Sequence, residues 1–358
     1  MKNLKFDKSG SAEFSQTLRA RVNEHFKRKN ITIHGDSSMA VKTIIMLSVF
    51  FAPLVIMSTG LISSPALIYV LYIISGFGMA GVGMGVMHDA IHGSYSKNKQ
   101  VNKLVGYTMN LIGANANVWK IQHNVLHHTY TNIDEGDDDI NAPFFLRFSP
   151  NAKRYWIHRF QYMYIWLFYG LSTISWITMK DFVRAKRYKK MGFYKEDNFA
   201  KELTKISAWK LLYYSYALIL PLIMVPLPAW IIVTAFLSMH FVTGICISLV
   251  FQTAHITSDA AFPNPDQNGL ISNEWTLHQL ATTSNYSPRS RIFSWLIGGL
   301  NFQIEHHLFP NICHIHYRQL SVIVHETANE FNVPYIVKPT FGIALWDHVK
   351  MLRQLGRA

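Results

Sequence analysis

The chain has 358 residues, of which 49% are hydrophobic and only 15% charged, with a formal net charge of +13. A soluble globular domain carries about 25% charged residues, so the composition excludes an ordinary soluble surface, and it excludes intrinsic disorder too. Two cysteines exclude a disulfide-stapled scaffold, while seventeen histidines call for a separate explanation.

In chain order, residues 1–40 form a charged N-terminal segment without the apolar core of a signal peptide. Within it, Ser11 to Lys29 reads as a short helix. Phe14, Leu18, Val22 and Phe26 recur every fourth residue on one face, either for packing or for a membrane surface. From Thr43 to His88 there is no Lys, Arg, Asp or Glu, and Leu211 to Ser258 is equally free of them. A membrane span needs about 20 apolar residues, so each run accommodates two spans and a tight turn. Ser58, Thr59, Gly60, Ser63, Ser64 and Pro65 mark the first turn; Pro221, Pro226 and Pro228 mark the second. The expected spans are 41–60, 65–87, 208–226 and 229–254.

The turns carry no Lys or Arg, whereas Arg19, Arg21, Lys27, Arg28, Lys29 and Lys42 precede the first span. Lys180, Arg184, Lys186, Arg187, Lys189 and Lys190 precede the third. By the positive-inside rule these basic stretches face the cytoplasm. The net positive charge then fits anionic lipid headgroups rather than nucleic acid, for which no motif is present. The expected fold is an all-α integral membrane protein with four transmembrane helices in two hairpins, 41–87 and 208–254. A cytoplasmic cap comprises 88–207 and 255–320; with the hairpins it makes one domain, 41–320, followed by a cytoplasmic tail, 321–358. Phe160 to Met179 also lacks formal charge, but its aromatics suit a helix lying in the interface.

The histidines cluster beside these spans. His88 and His92 stand in HDAIH; His123, His127 and His128 in HNVLHH; His255 in FQTAH; His306 and His307 in QIEHH. Imidazoles four residues apart share a helix face, so His88 with His92, and His123 with His127, can converge on a metal. Eight imidazoles exceed one tetrahedral zinc and suit two ions with open positions. The other histidines read as interfacial or hydrogen-bonded residues. The acidic run Asp134, Glu135, Asp137, Asp138, Asp139 reads as a solvated loop, with one or two members available to support a ligand. All eight histidines must share one membrane face to build one centre, so an even number of crossings separates His128 from His255. That parity assigns 160–179 to the interface.

HDAIH, HNVLHH and QIEHH, set around two hydrophobic hairpins, resemble the three histidine boxes of the membrane fatty acid desaturases, over roughly residues 40–320. Gln303, in place of a first histidine, resembles the third box of front-end acyl desaturases. The resemblance implies a di-iron centre held by His88, His92, His123, His127, His128, His255, His306 and His307. Gln303 becomes a ninth ligand or a water holder. Asp89, Asn124, Gln252 and Glu305 are expected to orient ligands or a bound water.

An unactivated methylene offers acid–base chemistry no acidic proton, so the implied reaction is O2-dependent desaturation of a fatty acyl chain carried on a lipid, on CoA or on a carrier protein. No HPGG haem motif occurs in the sequence. The two electrons are therefore expected from a separate ferredoxin, flavodoxin-type or cytochrome b5-like donor. Arg154, Arg159, Arg184, Lys186 and Arg187 can bind a substrate phosphate or simply face the membrane. A hydroxylase or ketolase of sphingolipid, alkane or carotenoid on the same scaffold is the alternative. A non-catalytic metal-binding membrane protein is a third reading, and it expects polar or charged residues mid-span; the spans are nearly free of them, with His240 the main exception.

Overall fold

The computed structural model describes residues 4–7 and 12–357. The chain is mostly helical, as expected, with two short parallel strand pairs that an all-α reading did not anticipate. Lys5–Phe6 pairs with Leu270–Ile271, and Asn285–Tyr286 pairs with Val337–Lys338. Two-residue strands carry too little periodicity to be seen in a sequence; long-range backbone pairing alone creates them.

Among the described residues, four helices are long and apolar enough to cross a membrane: Ser37–Ser58, Pro65–His92, Glu196–Met224 and Ala229–His255. The helix 161–190, which includes most of 160–179, is not one of them. The first of these helices starts four residues before the expected span because Asp36 caps it, its carboxylate accepting from Ser38 N at 2.9 Å. The second begins at Pro65, where a missing N–H costs nothing, with Ser64 as the cap. The third starts at Glu196 rather than 208. Its charged first turns, with Glu196, Asp197, Lys201 and Glu202, contain no helix breaker, so the helix continues past the edge of the apolar run. It absorbs Pro221 through a π turn at Ser215–Ile219.

The chain divides into two compact units. One comprises Asp36–Ile121 and Trp166–Leu249. Its core joins Phe50, Met57, Tyr72 and Met79 to Tyr213, Phe236 and Met239. Small residues allow close helix approach here. A Cβ on Gly78 would collide with Phe50 N, and one on Gly81 with Met46 Sδ. Polar side chains cross-link the helices: Ser75 Oγ donates to Phe50 O at 2.9 Å, and Thr243 Oγ1 to Gly76 O at 2.9 Å.

The other unit comprises the N-terminal segment to Gly35, Gln122–Ile165 and the chain from Val250 onward. Helix Ala12–Lys29 buries Phe14, Leu18, Val22 and Phe26 in a core with Leu320 and Val324 of helix Tyr317–Glu330. The four-residue stripe is therefore a packing face. Helix Phe341–Leu355 closes this unit. Its His348 is fully buried, and Nδ1 lies 2.8 Å from Ile256 O, so that nitrogen donates. Burial lowers the His348 pKa from 6.5 to about 4. The folded state therefore refuses a proton that the unfolded chain accepts as pH falls below 6.5. Stability is expected to fall between about pH 6.5 and pH 4, with this one residue worth about 3 kcal/mol over that window. Thermal midpoints across that range check it: His348→Gln should flatten the profile, and an unchanged slope counts against the assignment.

Candidate metal centre

The second histidine box does not sit on an ordinary α-helix. Helix Ala116–Lys120 runs into a π-helical turn, Ile121–His127, and then into His128–Tyr130. The wider turn brings a residue and those four and five positions on toward one face. His123, His127 and His128 are all buried, and the Nε2 atoms of His123 and His128 lie 3.2 Å apart. Two imidazole nitrogens at that distance need a shared proton or a cation. The sequence spacing anticipated the His123–His127 pair; no sequence signal marked the π turn that adds His128.

Part of the acidic run turns inward to support this turn. Asp137 is fully buried, and its carboxylate accepts from His127 Nδ1 at 3.0 Å, from Asn132 N at 3.0 Å and from Asp139 N at 2.9 Å. Burial opposes a charge on His127, but Asp137 and then Asp139 outweigh it and raise the imidazole to about 9. With Nδ1 committed to Asp137, His127 Nε2 is a buried nitrogen with no hydrogen-bond partner. Asn132, in the left-handed region at φ 59°, donates to the carbonyls of His255 and Ala261 at 3.0 and 3.1 Å. It thereby ties the loop after the second box to the end of helix Ala229–His255.

His255 and the third box complete the assembly in this unit. His255 Nδ1 faces Thr282 O at 3.3 Å, and His307 Nδ1 lies 2.8 Å from Gln279 Oε1. His127, His255 and His307 form a buried trio whose candidate ligand atoms lie within 4.8 Å of one another. His128, His306 and His307 form a second trio, and His123, His127 and Asp139 a third. Gln303 is fully buried, and its side chain faces His255. Gln252 is half-buried one turn before His255, and Asn124 is half-buried within the π turn.

Glu305 supports the helix of the third box through Tyr335 and Asn285. Tyr335 OH donates to its Oε1 at 2.8 Å, and Asn285 Nδ2 donates to its Oε2 at 2.7 Å. Asn285 Oδ1 also accepts from Ile304 N at 2.9 Å. This network anchors the short helix Gln303–Leu308 that carries His306 and His307. Burial raises the Glu305 carboxyl to about 7, against the hydrogen bonds from Tyr335 and Asn285.

His88 and His92 belong to the other unit, on the short helix Met87–His92. Their rings are 4.8 Å apart, and both touch Trp119, at 5.6 and 6.2 Å. Asp89 is buried, with Oδ1 3.9 Å from His88 Nδ1. Trp119 packs with Met87, Met109, Ala114 and Trp176. Arg154 and Arg159 are exposed in the unit that holds the second and third boxes, whereas Arg184, Lys186 and Arg187 lie on helix Asp181–Lys190 of the unit that holds His88.

The donor set fits a metal. It is built of buried imidazoles with carboxylate, carbonyl and amide backing and contains no thiolate, which suits Fe, Zn, Cu or Ni and disfavours an iron–sulfur cluster. Apolar helices bearing such clusters define a membrane protein with histidine-rich, potentially metal-binding sites. The chain belongs to the fatty acid desaturase family, whose family model matches residues 63–339, and it is an oxidoreductase of that class.

Named relatives agree along nearly the whole chain. It is 34% identical to the sn-1 linoleoyl-lipid 6-desaturase of Arthrospira platensis, over 97% of this chain and 93% of that protein. It is 33% identical to the sn-1 linoleoyl-lipid 6-desaturase of Synechocystis sp., over 96% of each. It is also 33% identical to the acyl-lipid (8-3)-desaturase of Physcomitrium patens, over 99% of this chain and 74% of that protein. The resemblance drawn from the three boxes is thus borne out, down to the front-end type.

Proposed function

We propose that this protein inserts a double bond into a fatty acyl chain esterified to a membrane lipid, using O2 and two iron ions. The observation that carries this reading is the buried trio of His127, His255 and His307, in a chain of the fatty acid desaturase family. These three, with His88, His92, His123, His128 and His306, would hold the two ions, and Gln303 would complete the set or hold a water. Bound iron would supply the O2-dependent oxidation of two adjacent methylenes, for which no acid, base or nucleophile in this chain suffices. Overall, –CH2–CH2–, O2, two electrons and two protons give –CH=CH– and two waters.

The residues of the chain do the rest. Asp137 and the Thr282 carbonyl each hold a proton on the Nδ1 of an imidazole, so a metal would bind through Nε2, at His127 in place of the second proton that Asp137 and Asp139 favour. The Glu305–Asn285–Tyr335 network fixes the third box. Burial of every box histidine except the half-buried His92 keeps bulk water from competing at the ligand atoms. The names of the relatives, which act on acyl-lipids, support a lipid-borne substrate over CoA or a carrier protein. Both basic stretches, and the segments 88–207 and 255–320, would face the cytoplasm, with 160–179 in the interface. A separate ferredoxin, flavodoxin-type or cytochrome b5-like donor would dock on that face.

Expression in a host lacking the product, with mass-spectrometric mapping of double bonds in total lipids, tests the reading. A new alkene is expected in lipid acyl chains. His306→Ala is expected to abolish it while membrane levels of the protein stay normal. A hydroxylated lipid with no new alkene would move the assignment to a hydroxylase, and wild-type product from His306→Ala would refute the role of the third box.

A further inference from the structure

Gln279 lies fully buried on helix Trp275–Thr282, outside all three histidine boxes. Its Nε2 is 3.0 Å from the backbone carbonyl of His128. A carbonyl only accepts, so the NH2 end of the amide must sit there. Trp275, four residues earlier on the same helix face, donates its Nε1–H to the same carbonyl at 3.1 Å. The amide orientation then fixes the other end: Oε1 meets Thr131 Oγ1 at 2.9 Å and His307 Nδ1 at 2.8 Å. An amide oxygen cannot donate. Of the hydrogen-bonding partners at His307 Nδ1 it is nearer than Thr131 Oγ1, which is 3.3 Å away. His307 Nδ1 therefore carries the proton, and the Nε2 lone pair is the one available to a metal.

The reversed amide fails twice over. It would set Oε1 against the His128 carbonyl, acceptor to acceptor, in a fully buried site. It would also offer N–H to His307 Nδ1, favouring the tautomer whose Nε2 is protonated and cannot ligate. Thr131 Oγ1 lies between the two boxes, 2.7 Å from His127 O and 2.9 Å from Gln279 Oε1, and its single proton serves one of these acceptors at a time, so the His128 carbonyl is what fixes the amide. One side chain thus links the backbone of the second box to the ring of the third.

We propose that Gln279 is a positioning residue that sets the metal-binding tautomer of His307. The proposal rests on the reading that His307 holds iron. The full-length protein in detergent, with ferrous iron as the probe and a ferrous chelator as competitor, provides the test. Gln279→Met removes acceptor and donor together and is expected to weaken Fe2+ binding about 10–100-fold. Gln279→Glu keeps an acceptor for His307 Nδ1–H but sets an oxygen against the His128 carbonyl; that cost is expected in the thermal transition, whereas Fe2+ binding by the folded variant is expected to be at least as tight as in wild type. Trp275→Phe removes only the other donor to the His128 carbonyl and should also keep its iron.

A role confined to tethering the helix needs the donor, so it would weaken Gln279→Glu and Gln279→Met alike. That result, or wild-type binding by Gln279→Met, overturns the proposal. The thermal transition without iron reports on folding. If Gln279→Met does not fold, a tenfold loss in Gln279→Glu overturns the proposal and retained binding supports it. His307→Ala separates the two levels of inference. Undiminished iron in that variant refutes His307 as a ligand, whereas its loss alongside wild-type binding by Gln279→Met refutes only the role of Gln279.

Discussion

Replacing His127 with alanine is expected to cost the protein the iron that we propose it binds, together with several kcal/mol of stability, and adding Asp137→Asn should restore only the stability. Asp137 is fully buried and accepts from His127 Nδ1 through both carboxylate oxygens, at 3.1 and 3.0 Å. Removing the imidazole leaves a buried carboxylate supported only by the backbone N–H groups of Asn132 and Asp139. Breaking a buried pair by deleting one partner costs about 3–5 kcal/mol. The neutral amide that Asp137→Asn introduces removes the stranded charge, so the double variant should recover most of that loss. It cannot recover the Nε2 that His127 contributes to the buried trio. Iron per chain and the thermal midpoint, measured on both variants, separate these effects. Recovery of iron in the double variant would show that His127 is not a ligand; an unchanged midpoint in His127→Ala would show that the pair contributes little.

Lys210→Met is expected to have the second largest effect, in the unit that carries His88 and His92. Lys210 Nζ donates to Gly113 O at 3.1 Å, to Trp176 O at 2.8 Å and to Asp181 Oδ2 at 2.7 Å, so all three of its protons are used. Asp181 is fully buried, and Lys210 is only 6% exposed. Gly113 adopts φ +86°, and a Cβ there would collide with Ile177 and Tyr213, so the loop cannot rearrange around another residue. Without the ammonium, two carbonyls and a carboxylate lose their donor, again at about 3–5 kcal/mol. Ala114 and Trp176, next to or part of that clamp, pack on Trp119, which touches both His88 and His92. Loss of stability should therefore be accompanied by loss of product. Asp181→Asn combined with Lys210→Met should be milder than Lys210→Met alone, because no charge remains stranded. Monodispersity in detergent and the thermal midpoint check this, and a double variant no better than the single would sink the ion-pair account.

Much of this was legible because the membrane imposes coarse rules. Long charge-free runs and turn residues at Gly60 and Pro65 located the apolar helices to within a few residues, except where Glu196–Met224 begins early. That exception is physical: charge marks where apolar surface ends, but it does not end a helix. The spacing of His123 and His127 exposed a shared face, and the stripe of Phe14, Leu18, Val22 and Phe26 exposed a packing face.

The supporting residues were harder to read. Gln279, Asn132 and Asn285 occur in no motif, and each acts through hydrogen bonds to groups distant in the chain. Asp137 sits in a run that looks solvated, yet it turns inward while its neighbour Glu135 adopts the left-handed region at φ 63°. Glu305 lies inside a box, but the partners of its two oxygens, Asn285 and Tyr335, come from distant parts of the chain that no motif marks.

The sequence by itself determined the residue types, the apolar helices and the family, because composition, periodicity and local spacing are properties of the chain alone. Only the tertiary structure decided the π turn at Ile121–His127, the partner of each imidazole Nδ1 and the turning of Glu305 toward Tyr335. The reason is that a ring tautomer is set by whichever acceptor the fold brings within about 3 Å, and that neighbour is 10 residues away for His127, 27 for His255 and 28 for His307.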